Sequence, residues 1–259
     1  MYDYIVSFYL GPRACQKTTE SLRRDKFLFV KRHLDFLQSY TKEDMSSSIF
    51  IINIDKEKEE QEIRGEIKNI LKRYNISCSD LRILFRRNGG YSYGAWNDYI
   101  TEDCRSKFLK HQDKEYYFCI EDDCIPTDQD FFIPFAKKCN EKTPYVCCVI
   151  RPDDGDNKIY GESPWPRHAA ISHGCFLKQS CLKIYKKYQS VFNIINAGDP
   201  RKHSLGCENQ VYFYNYFFKE GFDMTSIASE HKIIYQETYV DQRVTYGNRN
   251  GKTLIIPIE

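Results

Sequence analysis

The order of apolar segments between residues 4 and 120 constrains the fold of this chain more than any other feature. Four short β-favouring runs occupy 4–10 (YIVSFYL), 49–54 (IFIINI), 81–85 (LRILF) and 116–120 (YYFCI). Between them lie longer segments with apolar residues at helical spacing. Residues 20–40 carry Phe27, Val30, His33, Leu34 and Leu37 on one stripe, and 57–74 carry Ile63, Ile67, Ile70 and Leu71. A third helix is expected over 95–110. Gly11-Pro12 and Asn88-Gly89-Gly90 punctuate the joins. A β-α-β-α-β-α-β order predicts an α/β fold with a mostly parallel central sheet and helices on both faces.

The second half is less regular. A helix is expected over 130–140, strands over 144–150 and 169–177, and a helix over 179–188. Residues 151–167 and 196–206 read as loops. An aromatic helix over 208–220, ended by Gly221, precedes a short strand at 224–227. With no internal repeat and no low-complexity linker, a single domain over 1–259 is expected, divided into functional halves at 1–125 and 126–259.

The formal net charge of +2 gives no electrostatic sign of nucleic-acid binding. The eleven cysteines are odd in number and form no CxxC pair, which argues against a zinc knuckle or a regular disulfide framework. The N-terminus lacks a basic region followed by a long apolar stretch, and no apolar run approaches a membrane span. The expectation is a soluble protein of a reducing cytoplasm, with no integral membrane segment.

Three polar segments carry the chemistry. The run at 116–120 ends in Glu121-Asp122-Asp123. Adjacent carboxylates at the tip of a buried strand repel one another and resist desolvation, and a divalent cation with oxygen ligands is the simplest compensation. The alternative is a solvated acidic turn. Asn88-Gly89-Gly90-Tyr91-Ser92-Tyr93-Gly94-Ala95-Trp96-Asn97 is a glycine-rich turn opening a helix, where backbone can approach a ligand closely or merely cap the helix. Gly206-Cys207-Glu208-Asn209 opens the aromatic helix, so Glu208 is a candidate base or a simple dipole contact.

In this order the three segments resemble the GT-A glycosyltransferases, particularly the family 2-like group, over roughly residues 4 to 230. The resemblance implies a GT-A, Rossmann-like sheet with a smaller acceptor-side half. It implies a metal-dependent transfer of sugar from a nucleoside-diphosphate sugar to a hydroxyl of a glycan or glycoconjugate acceptor, with inversion. Asn88, Gly90, Gly94 and Asn97 would lie near the nucleotide-sugar, as would Tyr9 and Arg13 after the first strand. Asp55 would read the base edge, although an Asp there also suits a helix cap. Glu121 and Asp123 would share a face and hold Mn2+ or Mg2+, with Asp122 turned toward the ribose. His231 matches a late histidine that serves some of these enzymes as a metal ligand, and Glu208 matches the catalytic base. The segment His173-Gly174-Cys175-Phe176-Leu177 is similar to the glycine-apolar stretch before the family's acceptor-side helix. The chain departs from the pattern at Glu121 for Asp, Asn209 for a second acid and Trp96 for Arg. Those first two departures keep open a non-catalytic module that binds nucleotide-sugar or glycan, and a nucleotidyltransferase on a related sheet is a further alternative. The composition is similar to glycosyltransferases of large DNA viruses and bacterial surface-glycan clusters.

Overall fold

The computed structural model describes residues 1–10, 25–74, 81–89, 91–106, 115–152, 167–192, 216–217, 219–227 and 234–236. The first half follows the expected alternation: β1 (Tyr2–Tyr9), α1 (Leu28–Ser39), β2 (Met45–Ile54), α2 (Glu60–Tyr74), β3 (Leu81–Arg87), α3 (Tyr91–Ser106) and β4 (Tyr116–Glu121). The second half supplies β5 (Cys124–Pro126), α4 (Ile133–Lys138), β6 (Tyr145–Pro152), β7 (Arg167–Leu177), α5 (Lys178–Tyr188), β8 (Met224–Ser226) and β9 (Ile234–Gln236).

Seven of these strands form one sheet in the order β3-β2-β1-β4-β7-β6-β8. β1, β2, β3 and β4 are mutually parallel, β7 runs antiparallel to both β4 and β6, and β8 is parallel to β6. The sheet is therefore mostly parallel with one reversed strand. β5 and β9 pair separately as a two-stranded ribbon that the sequence pattern did not announce.

Alternation along β1 explains the two cores. Tyr2, Tyr4, Val6 and Phe8 face one side, where α1, α2 and α4 pack through Val30, Leu34, Ile63, Ile67 and Phe135. Ile5 faces the other, against Trp96 and Ile100 of α3 and Ile184 of α5. Burying each such side chain contributes roughly 1.5–3 kcal/mol. A strand buried on both faces is apolar along most of its length, which is why β1, β2 and β4 were legible as near-continuous runs.

One ionic contact pins the sheet edge remote from the strand C-termini. Lys178 Nζ lies 2.8 Å from Asp3 Oδ2, both side chains 4% exposed, and Ser47 Oγ donates to Asp3 Oδ1 at 2.7 Å. Buried charges of this kind need each other, because desolvating either alone is costly.

Several element boundaries differ from expectation for local reasons. The helix expected over 20–40 starts at Leu28, because Asp25 Oδ1 accepts the Phe27 amide in a turn that precedes it. The helix expected from residue 95 starts at Tyr91, and residues 107–110 lie outside the described set. The helix expected over 130–140 shortens to Ile133–Lys138, since Asn140 Oδ1 accepts the amides of Lys142 and Thr143 and turns the chain. Of the aromatic helix over 208–220, only residues 216, 217, 219 and 220 are described; Phe217 is buried and Tyr216 stacks on Tyr188 at 4.2 Å. Among the described residues, seven cysteines are free and buried, and no helix is long and apolar enough to cross a membrane.

Candidate functional site

Parallel pairing brings the C-terminal ends of β1 to β4 to one edge of the sheet. Tyr9 is level with Asn53, Asn53 with Arg86, and Ser7 with Glu121. Open α/β sheets bind ligands at this edge. Here the residues after each strand are joined by hydrogen bonds. The Tyr9 amide donates to Asp122 Oδ2 at 2.9 Å, and the Tyr9 hydroxyl donates to Asp55 Oδ2 at 2.9 Å. Asn88 Nδ2 donates to Asp55 Oδ1 at 2.8 Å, and the Asn88 amide donates to Ile54 O at 2.9 Å. Tyr9, Asp55, Asn88 and Asp122 thus form one continuous network across four strand ends. Asp55 is exposed.

Below this line, buried Asn53 ties the strands together. Its Nδ2 donates to Ser7 Oγ at 3.1 Å and Phe8 O at 2.9 Å, and its Oδ1 accepts from Arg86 Nη1 at 2.7 Å. Arg86 also reaches Asp98 Oδ2 at 2.7 Å through Nε, and both terminal nitrogens donate to Gly89 O at 3.1 Å. The guanidinium therefore folds the 88–89 segment onto the first turns of α3. Gly94 is required there: a Cβ at this position would stand 2.0 Å from Gly89 O. The helix start then meets the acidic strand tip, where Ser92 Oγ donates to Glu121 Oε1 at 3.0 Å.

Two side chains of this segment are engaged within the fold. Asn97, expected beside the nucleotide-sugar, spends its Oδ1 on the turn after α5, accepting from Ser190 Oγ at 3.0 Å, Val191 N at 3.1 Å and Phe192 N at 2.9 Å. Trp96 is fully buried with its ring edge-on to Tyr93, so the position where the family carries Arg faces the core here.

The acidic triplet is also arranged differently from a continued strand. β4 ends at Glu121 and residues 122–123 form a turn, so two-residue alternation does not reach Asp123. Asp122 is 4% exposed and its carboxylate accepts the Tyr9 amide; it was expected to face a ribose. Asp123 is 2% exposed, and its Oδ1 accepts a weak bond from Cys124 Sγ at 3.6 Å. From the core side, His33 Nε2 lies 3.0 Å from Asp122 O, and His33 Nδ1 lies 2.8 Å from the Tyr4 hydroxyl. Burial lowers the His33 pKa to about 3, partly opposed by the bond to the Asp122 carbonyl, so the ring is neutral. His173, level with Ile120 on β7, is enclosed near Phe118 and Phe135, and burial lowers its pKa to about 3 as well. It belongs to the core and not to an open acceptor face.

His33, Arg86, Ser92 and Asn53 carry this architecture, and sequence reasoning gave His33 and Arg86 no role at the site. The available signal was a histidine on the apolar stripe of α1: a polar ring at a core position requires a partner. Arg13, Gly90, Glu208 and His231 lie outside the described residues.

Among the described residues no group of three or more His, Cys, Asp or Glu side chains is arranged to hold a metal ion. The donor set of Glu121 and Asp123 nevertheless suits a hard cation that arrives with substrate, since Mg2+-type sites use one or two carboxylates plus substrate phosphates. It does not suit a preformed protein cage.

The fold defined by this sheet is a mostly parallel, Rossmann-like α/β fold with helices on both faces. No model of a known protein family matches the chain, and no curated protein matches it. Among solved structures, it is similar to the 4-diphosphocytidyl-2C-methyl-D-erythritol synthase of Anaerococcus prevotii, with a TM-score of 0.45 and 14% identity over 87% of this chain and 84% of that one. A Bacillus anthracis protein described as a glucose-1-phosphate thymidylyltransferase, in complex with a sucrose, gives a TM-score of 0.45 and 11% identity over 92% and 91%. A second 4-diphosphocytidyl-2C-methyl-D-erythritol synthase gives 0.43 and 6% over 86% and 87%. Likeness of this degree says nothing about activity.

Proposed function

We propose that this protein is a metal-dependent glycosyltransferase that moves a sugar from a nucleoside-diphosphate sugar to a hydroxyl of a glycan or glycoconjugate acceptor. The observation that carries the proposal is the hydrogen-bonded edge joining Tyr9, Asp55, Asn88 and Asp122, with Glu121 and Asp123 beside it. An exposed carboxylate aligned by two donors suits the N–H edge of a base or ribose hydroxyls. The glycine-lined start of α3 suits a nearby diphosphate, because helix N-termini favour anions. Glu121 and Asp123 would hold Mn2+ or Mg2+, and the ion would supply charge stabilisation to the departing diphosphate. His231, by resemblance, is a further candidate ligand. Arg13 and Gly90 complete the donor side on the same ground.

Glu208, by the same resemblance, takes the proton of the acceptor hydroxyl as its oxygen attacks the anomeric carbon from the face opposite the diphosphate. A single displacement inverts configuration. Loss of such a base lowers turnover by about 10²- to 10⁴-fold while donor binding persists.

The test is a thermal-shift panel of nucleoside diphosphates and their sugars with and without Mn2+, followed by donor-hydrolysis assays. A metal-dependent shift for one base, abolished in Asp123→Asn, with slow release of nucleoside diphosphate, is the expected result. Full turnover in Glu208→Gln rules out that base. Affinity without release makes the protein a binding module. Release of pyrophosphate from a nucleoside triphosphate and a sugar phosphate makes it a nucleotidyltransferase.

A further inference from the structure

We infer that His33 is a positioning residue for the acidic turn, fixing the direction of Asp123 through the peptide that links Asp122 to Asp123. This rests on the proposal that the turn holds a divalent cation. The ring sits on α1, fully buried, 5.4 Å from the ring of Phe8 and 6.1 Å from that of Phe50. A leucine would pack there without a desolvation cost, so the imidazole is explained by its polar bonds.

Those bonds fix the tautomer. The Asp122 carbonyl can only accept, so Nε2 carries the proton and donates across 3.0 Å. Nδ1 is then the acceptor, and the Tyr4 hydroxyl donates to it across 2.8 Å. Tyr4, His33 and the Asp122 carbonyl form a directed relay from β1 through α1 to the turn. The carbonyl lies in the Asp122–Asp123 peptide plane, whose orientation sets where the Asp123 side chain leaves the backbone. The Tyr9 amide holds the Asp122 carboxylate at 2.9 Å, so side chain and main chain of the same residue are both anchored. Without His33 the buried carbonyl loses this donor, and the peptide plane loses one of its anchors.

Groups that orient metal ligands from behind typically change metal affinity by about 10- to 100-fold when removed. The experiment titrates Mn2+ against wild type, His33→Leu, His33→Gln and Tyr4→Phe, reading half-saturation by donor-dependent thermal shift and by turnover. His33→Leu is expected to raise the half-saturating Mn2+ concentration about tenfold, and His33→Gln, whose amide N–H can reach the carbonyl, to restore it to within about threefold. Tyr4→Phe keeps the ring but frees its tautomer and is expected to fall between the two; it serves if His33→Leu does not fold. Variants that lose thermal stability while titrating like wild type overturn the role of His33 alone. A wild type whose donor binding is indifferent to Mn2+ overturns the proposed function instead.

Discussion

Acid should destabilise this protein through two imidazoles. His33 and His173 are buried, and burial lowers each from an ordinary pKa of 6.5 to about 3. In the unfolded chain both titrate near the ordinary value. Between the two values the unfolded state binds a proton that the folded state refuses, so stability is complete above pH 6.5 and is lost as the pH falls toward 3. Each ring removes about 1.4 kcal/mol per pH unit well inside that window, and about 2 kcal/mol between pH 7 and pH 5. The result is insensitive to the folded value while that stays below roughly 4. Together the rings cost about 4 kcal/mol at pH 5, against about 5–15 kcal/mol for a whole domain. Urea unfolding followed by far-ultraviolet circular dichroism at pH 7, 6 and 5 measures this directly. His173→Leu should lose about 2 kcal/mol less than wild type across the interval, whatever its stability at pH 7. Identical pH dependence in the two proteins would refute the reasoning, because the folded imidazole would then be reaching a proton at no cost.

Two further substitutions probe the frame. Gly94→Ala forces a methyl group against the Gly89 carbonyl, so a loss of about 1–3 kcal/mol is expected in thermal unfolding, with weaker nucleotide binding as the 88–89 segment shifts. Wild-type stability in that variant would show that the segment yields freely. Lys178→Met leaves Asp3 buried without its ammonium partner and should cost about 3–5 kcal/mol, most of it recovered on adding Asp3→Asn. Equal losses in the single and double variants would contradict the pairing.

The parallel half of the sheet was legible because β1, β2 and β4 are enclosed on both faces and read as near-continuous apolar runs. The reversal of β7 left no such trace. Strand direction is decided by the connections and not by the strand's own residues. β5 and β9 are three residues each and pair across more than a hundred residues, so neither carries a local signal. At the site, Tyr9, Asp55, Asn88 and Asp122 could be picked out as polar residues just beyond strands. Their mutual bonds could not, because each partner lies on a different strand end. Strand alternation does not carry from Glu121 to Asp123, because β4 gives way to a turn after Glu121. Arg86 read as an ordinary charged residue, since its three acceptors come from β2, the 88–89 segment and α3.

The Asp3–Lys178 pair has a consequence for synthesis. The carboxylate is made 175 residues before its counter-ion. A nascent chain can lay β2 and β3 beside β1 while Asp3 still needs water, and that end of the sheet has to stay wet. Only when the start of α5 emerges does the edge dry out, so the sealing of that end is tied to the arrival of a single lysine.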